Sequence, residues 1–202
     1  MEVIGLAGGI ASGKSTVAML FEELGAVSLN ADQIGHEVLR EPAVKESLRN
    51  EFGPTIFDAA GEVDRSAVAR MVFGPDEGSQ RRLLFLESIT HPRISERLSE
   101  HLVRLRRTGC KAVILDAAVM FKAGWDRFCT RIVFVRVPHA VRVARAKSRG
   151  WTPAELDARE NRQTPLVEKE RKATDFLEND SSLEELRQQV YKLWNSWGLQ
   201  VP

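Results

Sequence analysis

The chain has 202 residues, of which 29 are basic, 28 are acidic and 43% are hydrophobic. That length suits one domain with an insertion and buries about 70% of the unfolded surface, so no disulfide or metal staple is required. A net charge of +1 excludes a globally basic nucleic-acid coat, and the hydrophobic fraction excludes a disordered chain. Cys110 and Cys129 are the only cysteines and form no CxxC pair, so they read as small buried apolar residues of a reducing compartment. Met1-Glu2-Val3-Ile4 has no basic region ahead of it, and no apolar run approaches the ~20 residues of a membrane helix. A cytoplasmic protein without a membrane or nucleic-acid partner is expected.

In chain order, residues 3–7 form a short apolar run ending in glycines, which predicts a fully buried strand. Residues 14–24 then place Val17, Ala18, Leu20, Phe21 and Leu24 on one helical face, and Gly25 ends that helix. A second strand follows at 26–29. Strand, helix and strand within about thirty residues make a βαβ unit and imply a parallel sheet. Residues 33–108 show helical periodicity and no strand signal, with breaks at Phe52-Gly53-Pro54 and Gly74-Pro75. Within them, Leu83, Leu86, Ile94 and Leu98 recur at near-helical spacing through 79–107, where Pro92 is expected to kink the helix or start a new one.

Strands are predicted again at 112–115 and 132–135, with a short fifth at Phe176-Leu177. Residues 139–172 are helical and basic. Residues 182–197 open with a capping box, Ser182 and Glu185, and close the chain as an amphipathic helix. The expectation is an α/β fold with a parallel sheet and two helical excursions. Both leave from the carboxyl edge of the strands, where open parallel sheets bind ligands.

The strongest motif is Gly8-Gly9-Ile10-Ala11-Ser12-Gly13-Lys14-Ser15-Thr16, which fits GxxxxGK[ST] between a buried strand and an amphipathic helix. Glycines let main-chain N–H groups turn inward around a polyphosphate, and the helix start adds the positive end of its dipole. Lys14 would reach the β- and γ-phosphates of a nucleotide, and the Ser15 hydroxyl would hold Mg2+. Asp32, just past the second strand, reads equally well as a general base or as a helix N-cap. Asp116 ends the third strand, the usual place of a carboxylate that holds Mg2+ directly or through water, and otherwise reads as a loop cap.

Arg142, Arg145, Lys147 and Arg149 form a basic run that is either a solvated face or, beside a phosphate loop, the source of an arginine over the γ-phosphate. Arg104, Arg106 and Arg107 read as a plain helix surface, and His91 before Pro92 as a packed histidine. The four tryptophans are not spaced as a stacking platform, and no guanine-specifying [NT]KxD occurs.

With these residues the chain resembles the dephospho-coenzyme A kinases over nearly its whole length. The resemblance rests on residues 4–16, on Ala31-Asp32, and on Phe52-Gly53, Gly61 and Asp64-Arg65. It rests further on Leu86-Glu87-Ser88-Ile89-Thr90-His91-Pro92-Arg93-Ile94, and on Arg159, Gln163, Pro165, Lys169 and Asn179. It implies a three-layer P-loop kinase core with five parallel strands in the order 2-3-1-4-5, made of residues 1–32, 109–138 and 173–202. It also implies a helical acceptor domain over 33–108 and a lid over 139–172.

The implied reaction is transfer of the γ-phosphoryl group of ATP, with Mg2+, to the ribose 3′-hydroxyl of dephospho-CoA in coenzyme A biosynthesis. Asp32, Lys14 and Arg149 would be catalytic. The loop from Gly8 to Thr16 and Asn179 would hold the nucleotide, and Arg65 and His91 would meet the acceptor with Asp32. A monomer or small homo-oligomer is expected. The alternatives are another P-loop kinase acting on a nucleoside or nucleotide, and an inactive nucleotide-binding regulator.

The family pattern has departures here. Asn30 stands where the family usually has aspartate. Asp116-Ala117-Ala118-Val119-Met120-Phe121-Lys122 stands for D-x-P-L-L-F-E, reversing a charge at Lys122. Thr174 replaces a frequent aspartate, and Ser181 replaces a glycine.

Overall fold

The computed structural model describes residues 1–74 and 76–200. Pro75, half of the expected Gly74-Pro75 break, lies outside the described residues. The elements run β1 (Glu2–Gly8), α1 (Lys14–Glu23), β2 (Val27–Asn30), α2 (Ala31–Val38), α3 (Pro42–Phe52), α4 (Arg65–Val72) and α5 (Glu77–Arg107). They continue with β3 (Ala112–Asp116), β4 (Arg131–Arg136), α6 (His139–Lys147), α7 (Pro153–Glu160), α8 (Leu166–Arg171), β5 (Asp175–Glu178) and α9 (Leu183–Ser196). The chain divides into two compact units, one of Ala31–His101 and one of the remaining residues.

The larger unit is built on a five-stranded sheet in the order β2-β3-β1-β4-β5, with every neighbouring pair parallel. The short apolar strands have no polar face because both sides of the sheet are covered. Ile4 and Leu6 enter one core with Val17 and Phe21 of α1 and with Leu186, Val190 and Trp194 of α9. Gly5 faces the other way, where an added Cβ would meet Cys129 Sγ and Met120 Sδ at 2.7 Å. Trp194 is fully buried and Trp197 stacks on Phe21 with centroids 5.6 Å apart, so the tryptophans of the last helix serve the core.

The observed strands extend past the predicted ones: β1, β3, β4 and β5 each gain a polar or glycine residue at an end, because ladder hydrogen bonds continue beyond the apolar run. In β2 the expected start at Ala26 shifts to Val27, since the Ala26 N–H bonds back to Phe21 O at the end of α1. Cys110 and Cys129 are free, as expected, but half-buried rather than buried. Burial of its sulfur still pushes the Cys129 thiol up to about 12.

The second unit is helical, as the pattern required, and among the described residues its one β feature is an isolated antiparallel bridge between Phe57 and Val63. Its core collects Ile34 and Val38 of α2, Leu48 and Phe52 of α3, Val68 and Val72 of α4, and Ile94 and Leu98 of α5. Asp64 caps α4 by accepting the Ser66 and Ala67 N–H groups, which places Arg65 at the first helical position.

Of the two outcomes expected at Pro92, the new start does not occur: a single helix runs through it. Side chains there take up main-chain carbonyls. Thr90 Oγ1 donates to Leu86 O at 2.7 Å and Arg93 Nη1 to Ile89 O at 2.8 Å. The local disturbance of a proline in a helix is absorbed without a break.

Candidate active site

The glycine-rich loop leaves β1 at Gly8 and enters α1 at Lys14, at the carboxyl edge of the sheet. Gly13, the N-cap, has φ 88°, and Ala11 is the one non-glycine residue among those described with positive φ, at 61°. Left-handed residues in such a turn aim successive N–H groups to one side and form an anion-binding concavity. An alanine held in that region stores backbone strain, a feature that clusters at ligand sites. Gly8 is needed for a second reason: a Cβ there would lie 2.8 Å from both Val135 O and Ser12 Oγ. Ser12 is buried in the loop, and its Oγ has no hydrogen-bond partner.

The loop is held from behind by the turn after β5. Asn179 Nδ2 donates to Ser12 O at 2.8 Å, its own carbonyl accepts from Arg145 Nη2 at 2.8 Å, and its N–H bonds to Arg136 O. Asn179 thus spends its amide on the loop backbone.

Inside the loop, Lys14 Nζ donates to Gly9 O at 3.1 Å. Burial holds the Lys14 pKa below the usual lysine range, the charges of Asp116 and Glu160 work against that, and Arg142 and Arg149 add to it. Asp116 ends β3 in register with Asn30 at the end of β2. Arg149 follows α6 and is exposed, and its effect on Lys14 marks it as a neighbour of the loop.

Three further groups, Arg142, Glu160 and Lys169, also converge here, of which only Arg142 was a candidate from the sequence. Arg142 is 5% exposed and pairs with Glu160, whose Oε1 accepts the Ile10 N–H at 2.9 Å. Lys169, also 5% exposed, donates to Gln163 Oε1 at 2.7 Å; burial and the nearby Lys14 push it down to about 8. Arg142 lay inside the basic run and Lys169 inside the family tail, whereas nothing local marks Glu160.

The structure therefore brings together Gly8 to Thr16, Asp116, Arg149 and Asn179 in the larger unit. Asp32, Arg65 and His91 belong to the second unit. Asp32 is the second residue of α2, an exposed first-turn position inside the helix rather than its N-cap. Arg65 donates to the His36 ring, and His91 lies half-buried in α5.

A parallel 2-3-1-4-5 sheet carrying this loop between its first strand and first helix defines a P-loop kinase. Residues 2–185 match the sequence model of the dephospho-CoA kinase family. A dephospho-CoA kinase of Symbiobacterium thermophilum is 39% identical over 97% of this chain and 81% of its own. One of Carboxydothermus hydrogenoformans is 34% identical over 98% and 95%. The chain belongs to the dephospho-CoA kinase family and is an enzyme of coenzyme A biosynthesis that uses ATP.

A crystal structure of a Thermus thermophilus protein, 35% identical, superposes with a TM-score of 0.81 over 97% of both chains. A dephospho-CoA kinase from Campylobacter jejuni, 21% identical over 96% of both chains with a TM-score of 0.63, shares the fold. Among the described residues no helix is long and apolar enough to cross a membrane.

Proposed function

We propose that Asp32 takes the proton of the ribose 3′-hydroxyl of dephospho-CoA as that oxygen attacks the γ-phosphorus of ATP. The new O–P bond forms, the bond from the γ-phosphorus to the β,γ-bridging oxygen breaks, and ADP leaves with that electron pair. Lys14 and Arg149 offset the charge that develops on the transferring group, while the loop from Gly8 to Thr16 holds the polyphosphate. The observation that carries this reading is the strained loop closed by the half-buried Lys14 ammonium, whose pKa desolvation lowers. Such a group is costly as packing and suited to a polyanion. For Asp32 the support is its chain position, two residues beyond the strand end that is in register with Asp116.

The donor set at the loop suits Mg2+. Ser15 offers an exposed hydroxyl at the start of α1, and Asp116 offers a carboxylate whose charge acts on Lys14. Mg2+ takes few protein oxygens and fills its remaining positions with water and phosphate. Ser15 and Asp116 would hold the ion, which when bound supplies charge neutralisation at the β- and γ-phosphate oxygens.

Residues 33–108 are assigned to the acceptor, with Arg65 and His91 as its contacts. Residues 139–172 act as a lid that excludes water, and the rest forms the nucleotide core, where Asn179 shapes the loop for ATP. The setting is cytoplasmic, and the enzyme works as a monomer or small homo-oligomer.

The test is ADP release from ATP and Mg2+ with dephospho-CoA, AMP or adenosine as acceptor. Release with dephospho-CoA alone is expected, and equal release with the other acceptors would overturn the acceptor assignment. Asp32→Ala should lower kcat by at least 10²-fold with ATP affinity unchanged, as loss of a general base does. Turnover near that of the unaltered enzyme would remove Asp32 from that role.

A further inference from the structure

Glu160 ends α7 at the unfavourable pole of that helix, because the last turn carries the negative end of the dipole and repels a carboxylate. What holds it there comes from outside its own helix. Its Oε1 accepts the Ile10 N–H at 2.9 Å and also the Arg142 guanidinium. Lys14 and Lys169 both feel its charge. A Cβ added to Gly9 would lie 2.6 Å from Arg142 Nη1 and 2.9 Å from Glu160 Oε1, so the pair sits directly on the loop. The two side chains are only 6% and 18% exposed. One carboxylate set among a loop amide and three cations has the surroundings of a phosphate oxygen.

We propose that Glu160 is a built-in competitor for the phosphate loop. Its carboxylate fills the place of a phosphate oxygen until a polyphosphate displaces it, and Arg142, released by that exchange, becomes a further phosphate-binding residue. The proposal rests on the loop being the ATP site. A polyphosphate brings several negative charges where Glu160 supplies one, so the three cations favour the exchange. Until then Glu160 offsets part of the repulsion among buried cations, which the loop would otherwise carry alone. The apparent affinity for nucleotide is lowered by the fraction of molecules in which the loop is filled this way.

Titration calorimetry with inorganic tripolyphosphate, and separately with ATP, tests the proposal on the full chain. If Glu160 fills the loop in nine molecules of ten, Glu160→Gln tightens both ligands by about tenfold. Glu160→Asp, whose shorter side chain keeps a charge for Arg142 but does not reach the Ile10 N–H, should tighten them less, and it serves if the glutamine variant does not fold. Adding Arg142→Met to Glu160→Gln should abolish the gain. Unchanged or weaker binding in folded Glu160→Gln would make Glu160 a strut and overturn the proposal, as would a gain that survives loss of Arg142. No tripolyphosphate or ATP binding by any variant would overturn the loop assignment itself. ADP release without acceptor specificity would leave this proposal intact and sink the acceptor reading instead.

Discussion

Lys169 shows at the scale of one residue what the site costs the fold. Burial and the charge of Lys14 bring its pKa to about 8, whereas the unfolded chain keeps it near the usual lysine value. Below pH 8 both states hold the proton, and the cost of burying the charge is fully present. As pH rises from 8 toward the unfolded value, the native state loses its proton first and the cost fades, so this group makes stability rise with pH. Lys169→Met should therefore melt above the unaltered protein at pH 7, by roughly 5 °C, and the gap should close by pH 10. A gap independent of pH would mean that the lysine keeps its proton in the native state across this range, with its pKa not lowered.

The departures at single positions also find accounts. Asn30 lies in register with Asp116, where an aspartate would place a second negative charge beside it. Thr174 accepts the Ile132 N–H through its hydroxyl at 3.0 Å, a role open to a carboxylate too. The Ser181 side chain bonds to Glu185 at the start of α9 and helps hold that carboxyl below its usual range. Nothing in the structure explains Lys122.

Among the elements, α5 is the one whose sequence and structure pull apart. Pro92 removes a main-chain donor and crowds the preceding turn, yet the helix spans 31 residues without a break. Pro92 is exposed, so Pro92→Ala loses no packing and regains a helix hydrogen bond. Its gain of about 2 kcal/mol, after the greater freedom of the unfolded chain is subtracted, should raise the melting temperature by about 4 °C. A lowered melting temperature would mean that the proline is held by packing. If KM for dephospho-CoA rises in the same variant, the His91-Pro92 step belongs to the acceptor side.

Pro92 reads in the sequence as a kink or a new start because its cost is local, and the new start does not occur because the packed face of α5 continues through it. Elements with a clear period were legible. The alternation of α1 and the apolar runs of β1, β3 and β4 fell within one or two residues of their observed bounds, because burial on one face or on both sets those patterns. The capping box of α7, formed by Thr152 and Glu155, is readable in the same way as that of α9, but it begins a helix with little apolar face.

At the scale of the whole molecule, two units divide the chain, each with its own core. If the larger unit takes ATP and the second takes dephospho-CoA, hydrogen exchange should separate them. An ATP analogue should slow exchange in residues 8–16 and 139–172. Dephospho-CoA should slow it in Ala31–His101. Protection of both units by either ligand alone would argue against separate binding roles.

The phosphate loop, the parallel sheet and the family were decided by the sequence itself. Each is written in neighbouring residues, where main-chain geometry, strand burial and helix period act over a few positions. The surroundings of the loop were decided only by the tertiary structure. Glu160 meets Ile10 across 150 positions, Asn179 meets Ser12 across 167, and Lys169 becomes a neighbour of Lys14 only when α8 packs against β1. Such contacts have no period and no spacing. They arise from the crossover connections of a parallel sheet, which bring distant segments to one edge and leave no local trace of the meeting.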